Sequence, residues 1–131
     1  MCLTTKTMTL EQAQATLKKI FGYDKFRPLQ AEIIQAVYDR RDTLVLIPTG
    51  GGKSICYQVP ALTMPGTAVV ISPLIALMKD QVEGLLGNGA PAAFINSMLS
   101  AAQIRDVEAE LLAGRLKPLY GSPEKLVSQN F

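Results

Sequence analysis

Histidine is absent from this chain of 131 residues. That removes imidazole acid–base catalysis and every zinc site that needs a histidine ligand. Cysteine is scarce. Cys2 and Cys56 are too few and too far apart for a disulfide framework, which points to a reducing compartment, the cytoplasm. No apolar run approaches the length of a membrane span, and the opening MCLTTKTMTLEQ lacks the apolar centre of a secretory signal, so no membrane partner is expected. Charge of one sign is also lacking. With a net charge of +2, any contact with nucleic acid has to be local rather than spread over a basic face. There is no internal repeat and no low-complexity linker. A hydrophobic content of 48% against 18% charged excludes disorder, and the length suits one domain with a modest core.

What is there alternates between helix and strand signals, which predicts an α/β fold with a mainly parallel sheet flanked by helices. TLEQ, Thr9 to Gln12, is a capping box; its helix is expected to reach about Ile20 and stop at Gly22. RPLQAEIIQAVYDR is the next helix, with Pro28 in its first turn and Leu29, Ile33, Ala36 and Val37 on one face. Thr43–Ile47 and Thr67–Ser72 are apolar runs of buried-strand type. Between them a helix opens at Lys53, and Pro60 is expected to kink or end it. Ser72 caps a further helix with Pro73 at its first position. Ala92–Ile95 is a weak third strand, and Ser100–Gln103 a second capping box for a helix to about Leu112, with Gly114 behind it. Leu116–Gly121 stands where a fourth strand belongs but reads poorly, because Pro118 has no N–H and Gly121 packs nothing. SPEKLVSQNF starts one more helix.

The stretch that carries chemistry is PTGGGKS. Gly52, Lys53 and Ser54 complete a phosphate-loop pattern between a strand and a helix, the context the motif requires. Backbone N–H groups in a glycine-rich turn and at a helix N-terminus converge on an anion. Gly50, Gly51 and Gly52 clear the approach, Lys53 supplies a charge for the β and γ phosphates, and the Ser54 hydroxyl suits Mg²⁺. The strict pattern wants glycine where Ile47 stands. The bland alternative is a glycine-rich turn with no ligand.

IPTGGGKSICYQVPAL, with that isoleucine, resembles motif I of the RecQ-family DNA helicases of superfamily 2. FGYDKFRPLQAEII resembles the family's motif 0, VVISPLIALMKDQV its motif Ia and LYGSPEKL its motif Ib. Together they cover nearly the whole chain in the family's order. The resemblance implies a partial RecA-like domain of the P-loop NTPase class. It implies that Thr49, Gly50, Gly51, Gly52, Lys53 and Ser54 hold ATP and Mg²⁺, with Lys53 the catalytic member of the set. It assigns Tyr23, Arg27 and Gln30 to adenine. Spacing alone favours another account of motif 0, in which Phe21, Tyr23 and Phe26 pack a helix junction while Arg27 and Gln30 are solvated. The resemblance reverses that preference. It also assigns Ser72, Pro73, Lys79 and Ser122 to single-stranded DNA. In motif Ib the family has a β-branched or small apolar residue where this chain has Gly121.

The family carries its metal-binding and water-positioning carboxylates on an apolar strand followed by Asp-Glu-Ala-His. The 131 residues contain no Asp-Glu pair. The family's second RecA-like domain with its arginine finger, and its zinc and winged-helix regions, are expected to follow the point where these residues stop. The expectation is therefore the front part of a 3′-to-5′ DNA helicase motor domain, cut before its Walker B motif and catalytically incompetent alone. An exposed sheet edge would then favour self-association. The rival expectations are a nucleotide- or DNA-binding module without catalysis, and a P-loop enzyme of another class such as a small-molecule kinase.

Overall fold

The first helix begins where the capping box predicts. In the computed structural model, which describes residues 9–47, 52–96 and 98–124, Gln12 N–H donates to Thr9 Oγ1 at 3.3 Å and Thr9 N–H donates to Gln12 Oε1 at 3.0 Å. Helix α1 spans Leu10–Thr16 and continues as a π-helical turn, Leu17–Phe21. Gly22 ends it in the left-handed conformation with φ of 78°. Helix α2 is Gln30–Tyr38, shorter than expected: Pro28 lies in the turn before the helix and not in its first turn. Helix α3, Ile55–Thr63, runs past Pro60, so the proline does not end it. Pro60 is buried, and its carbonyl accepts the Met64 N–H at 2.9 Å.

The chain forms two compact units, one up to Met64 and one from Pro65. In the first, α1, α2 and α3 pack on one another. Ala13, Leu17, Ile34 and Val59 are fully buried, and Leu10, Phe21, Phe26, Tyr38 and Ile55 pack around them. Tyr38 Oη lies 2.6 Å from Thr63 Oγ1, which in turn donates to Val59 O at 2.9 Å. Burial raises the Tyr38 pKa and the Thr63 bond works against it, so the phenol stays neutral. The apolar run Thr43–Ile47 forms no strand, a correction to the sequence expectation. Leu44 and Leu46 are both exposed, and a strand needs a ladder partner that this run does not have among the described residues.

The second unit is a three-stranded parallel sheet of β1 (Ala68–Ile71), β2 (Ala93–Ile95) and β3 (Pro118–Gly121), in the order β1-β3-β2. The strand that reads worst is therefore the central one. Pro118 is its first residue, where a missing N–H is tolerated. Gly121 lies in register between Ile71 and Ile95, so its small size leaves room for two branched neighbours. Helices α4 (Ile75–Gly87) and α5 (Ala101–Leu112) flank the sheet. Val107 and Leu111 of α5 pack on Ile95, Leu116 and Leu119. Val69 and Ile71 pair with Leu119 and Gly121 and so share that face of the sheet, yet both are exposed. The buried character expected of this strand is therefore not found: Ala68 and Val70 are half-buried and the other two residues are exposed. The second capping box is formed as predicted, with Gln103 N–H to Ser100 Oγ at 3.2 Å and Ser100 N–H to Gln103 Oε1 at 2.8 Å. Among the described residues no helix is long and apolar enough to cross a membrane.

Three helices end with the same pair of backbone bonds. After α4, Gly89 N–H donates to Leu86 O and Ala90 N–H to Leu85 O; after α5, Gly114 donates to Leu111 O and Arg115 to Glu110 O. After α2, Arg40 donates to Val37 O and Arg41 to Ala36 O. This closure needs a left-handed residue, which glycine adopts freely. The first two have Gly89 and Gly114 there, whereas α2 has Arg40 at φ of 59°. Arg40→Gly is expected to stabilise the protein by about 0.5–1 kcal/mol, the left-handed penalty of a side chain less the added freedom of glycine in the unfolded chain. Urea denaturation checks the sign. At the end of α5, Arg115 binds Glu110 through two hydrogen bonds of 2.8 and 3.1 Å and holds its carboxyl below the ordinary pKa.

Candidate nucleotide and nucleic-acid site

The stretch from Gly22 to Arg27 carries no regular structure, and the chain then turns tightly at Arg27–Gln30 into α2. The turn is closed twice. Gln30 N–H donates to Arg27 O at 3.1 Å, and Arg27 N–H donates back to Gln30 Oε1 at 2.7 Å. Gln30 is only 2% exposed, so the account in which it is solvated does not hold. Its other amide atom reaches the phosphate loop, with Nε2 donating to Gly52 O at 3.0 Å. One buried side chain thus ties the motif 0 turn to the residue preceding Lys53. The packing account holds for Phe21 and Phe26, which join the core, and fails for Tyr23, which is 52% exposed.

Tyr23, Lys25, Arg27, Gln30, Gly52 and Ile55 line a cavity of about 190 Å³. That is smaller than the roughly 300–1,000 Å³ of drug-sized sites, a scale for a ring rather than for a whole nucleotide. Its chemistry is mixed: an aromatic face, two exposed cations, an amide held in place and an aliphatic floor. Sequence reasoning missed Lys25 and Ile55. The signal for Lys25 was its place midway between Tyr23 and Arg27, two residues from each. Ile55 carried no signal beyond opening a helix.

Lys53 and Ser54 stand immediately before α3; Lys53 is exposed and Ser54 half-buried. The first N–H groups of a helix lack partners within it and face whatever lies at that end. Gly52 has φ of 78°, and a Cβ added to it would collide with the Gln30 amide nitrogen. The loop is therefore cleared of side chains where the amide crosses it. Thr49, Gly50 and Gly51 lie outside the described residues. Cys56, the second residue of α3, is buried, and its Sγ sits 3.9 Å from Gly52 O. Burial pushes its thiol pKa up, so it is a packing residue rather than a nucleophile.

The DNA candidates all fall in the second unit. Ser72 and Ser122 directly follow β1 and β3, at the carboxyl ends of neighbouring parallel strands, and Ser72 N–H donates to Gly121 O at 3.0 Å. In open α/β sheets this is the edge at which ligands bind. Ser72 does not cap α4 as expected: Leu74 takes that position, Pro73 precedes it, and Leu74 N–H donates to Ser72 Oγ at 3.2 Å. A serine that accepts two residues ahead forms a turn of its own and delays the helix. Ser122 is buried, with its N–H donating to Ile95 O at 3.2 Å. Lys79 is exposed, and its ammonium lies 4.0 Å from Glu83. Asn96, at the end of β2, is a buried neighbour that sequence reasoning missed; its Oδ1 accepts the Met98 N–H at 2.8 Å.

Comparison with known proteins bears on the family and the fold. The sequence profile of the DEAD/DEAH box helicase family matches residues 27–131. The ATP-dependent DNA helicase RecQ of Haemophilus influenzae is 47% identical over 129 residues, 98% of this chain and 21% of that protein. The Bacillus subtilis protein of the same name is 50% identical over 123 residues, 93% of this chain and 21% of its own length. The chain thus spans about a fifth of these curated relatives. Among solved structures, a hypothetical ATP-dependent RNA helicase from Sulfolobus tokodaii superposes with a TM-score of 0.70 at 19% identity, covering 92% of this chain and 36% of that one. At that identity the likeness establishes the fold, which is RecA-like.

Proposed function

We propose that this chain, which belongs to the DEAD/DEAH box helicase family, is the front portion of the first RecA-like domain of a RecQ-type, ATP-dependent DNA helicase. The observation that carries the proposal is the amide of Gln30, which joins a ring-sized cavity to the phosphate loop. A glutamine amide has two N–H donors and two acceptor lone pairs. One donor goes to Gly52 O and one lone pair to the Arg27 N–H. The donor and acceptor left over match the N7 and N6 edge of adenine. Guanine presents two acceptors there and fits worse. Tyr23 offers the base a stacking face, and Arg27 and Lys25 add charge beside it.

At the other end of the nucleotide, Lys53 and the first amides of α3 take the phosphates. Gly52 supports this assignment, because a side chain there would fill the space in which the loop and the Gln30 amide meet. Thr49, Gly50 and Gly51 complete the loop in the proposal. Ser54 would hold Mg²⁺, which when bound neutralises charge on the β and γ phosphates. Ser72, Pro73 and Ser122 would meet the sugar-phosphate backbone of single-stranded DNA at the carboxyl edge of the sheet, with the Ser72 turn the most accessible of them and Lys79 at the periphery. The setting is cytoplasmic, and the uncovered Val69 and Ile71 of β1 form the surface through which copies of the chain would associate.

Isothermal titration calorimetry tests the nucleotide reading. ATP is expected to bind more tightly than GTP or inorganic triphosphate. Tyr23→Ala is expected to weaken ATP about tenfold through lost stacking and to leave triphosphate unchanged. Gln30→Ala is a less selective probe, because it also releases Gly52 O and should weaken both ligands. Equal losses for ATP and triphosphate in Tyr23→Ala would sink the assignment of the cavity to adenine.

A further inference from the structure

Leu29 has φ of 73° and ψ of −22°. These are the angles of the third position in a type II turn, which glycine or asparagine ordinarily fills. Pro28, at the second position, suits such a turn. The Leu29 side chain is 56% exposed, so burial does not hold the backbone in this region. What holds it is the pair of bonds that close the turn, Gln30 N–H to Arg27 O and Arg27 N–H to Gln30 Oε1. A residue kept in a sparsely populated conformation is over-determined by its surroundings, and such residues concentrate at ligand sites.

We infer that Leu29 is a positioning residue: its left-handed backbone, and not its side chain, aims the buried Gln30 amide at Gly52 and at the nucleotide cavity. If the turn relaxes to a right-handed Leu29, the Gln30 side chain no longer leaves α2 along the same line. It then loses the Arg27 N–H and Gly52 O together. Nucleotide binding depends on the fraction of molecules with the turn formed, since apparent affinity scales with the binding-competent population. The effect on nucleotide rests on the reading proposed above; the effect on the turn does not.

The experiment uses the 131-residue chain with Leu29 replaced by Gly, Asn, Ala or Ile. Protection of the Arg27 amide from hydrogen exchange, without nucleotide, is expected to rank Gly and Asn highest, Leu and Ala together, and Ile lowest, because a β-branched residue crowds the left-handed backbone most. ATP affinity is expected to follow that order, with Leu29→Ile weaker than the parent by about fivefold, and triphosphate, which also depends on the loop that Gly52 O anchors, is expected to fall in the same order but by less. Adding Gln30→Ala should abolish the advantage of Leu29→Gly over Leu29→Ile. If Leu29→Ala falls with Leu29→Ile, the side chain matters and the inference is wrong. If Arg27 protection does not rank the variants at all, the inference is equally wrong. Ranked protection with no nucleotide bound to any variant would support the positioning role and overturn the nucleotide reading instead.

Discussion

Gly52→Ala is expected to lower ATP affinity by about 100-fold while the chain stays folded. Two penalties meet at this position. The backbone is left-handed with φ of 78°, which costs a residue with a Cβ about 1–2 kcal/mol. The new methyl also collides with the Gln30 amide nitrogen and comes to 3.6 Å from Arg27 Cδ. The amide is the far end of a flexible side chain, and in an open site it would swing aside at little cost. Here it is 2% exposed and bonded on both sides, so moving it breaks the bonds to Gly52 O and Arg27 N–H, each contributing about 0.5–1.5 kcal/mol net. The summed cost of roughly 2–5 kcal/mol falls on the contact that joins base and phosphate ends. Calorimetric titration with ATP reads the affinity, and a thermal melt shows that the fold survives. The double variant Gly52→Ala with Gln30→Ala has no clash and should recover part of the phosphate binding. Binding of ATP by Gly52→Ala within twofold of the parent would mean that the amide bridge is incidental.

Much of the fold is legible in the sequence where the determining interaction is local. Thr9 with Gln12 and Ser100 with Gln103 close their boxes within three residues, and Gly22 and Gly114 end helices through their own φ. The poorly read strand and the misread one share the opposite property. Pro118 and Gly121 argue locally against a strand, but β3 is central because Ala68–Ile71 and Ala93–Ile95 both pair with it across more than twenty residues. Thr43–Ile47 argues locally for a strand and finds no partner among the described residues. At the candidate site the phosphate loop and the motif 0 residues were visible as types and spacings. That Gln30 is buried and bonded to Gly52 was not, because the partner lies twenty-two residues away. Neither was the left-handed Leu29, whose side chain signals no such backbone.

The 131-residue chain, purified alone, is expected to show no DNA-stimulated ATP hydrolysis above a Lys53→Ala blank. Holding the phosphates is only part of the chemistry. Phosphoryl transfer to water also needs carboxylates that share the metal and orient the attacking water. The sequence has no Asp-Glu pair after an apolar run, and the described residues contain no cluster of three or more acidic or thiol groups able to hold a metal ion. Asp80 lies exposed within α4, and Glu124 is exposed just past β3. In the proposed assignment Ser54 is left as the protein's ligand to Mg²⁺, and the water is unoriented. The arginine that stabilises transition-state charge in related systems contributes roughly 10³- to 10⁵-fold in rate, and in the RecQ family it comes from the opposing domain. A phosphate-release assay with and without single-stranded oligonucleotide decides the matter. Turnover that rises with DNA and vanishes in Lys53→Ala would overturn this expectation, and Asp80→Asn and Glu124→Gln would then identify which carboxylate serves the metal.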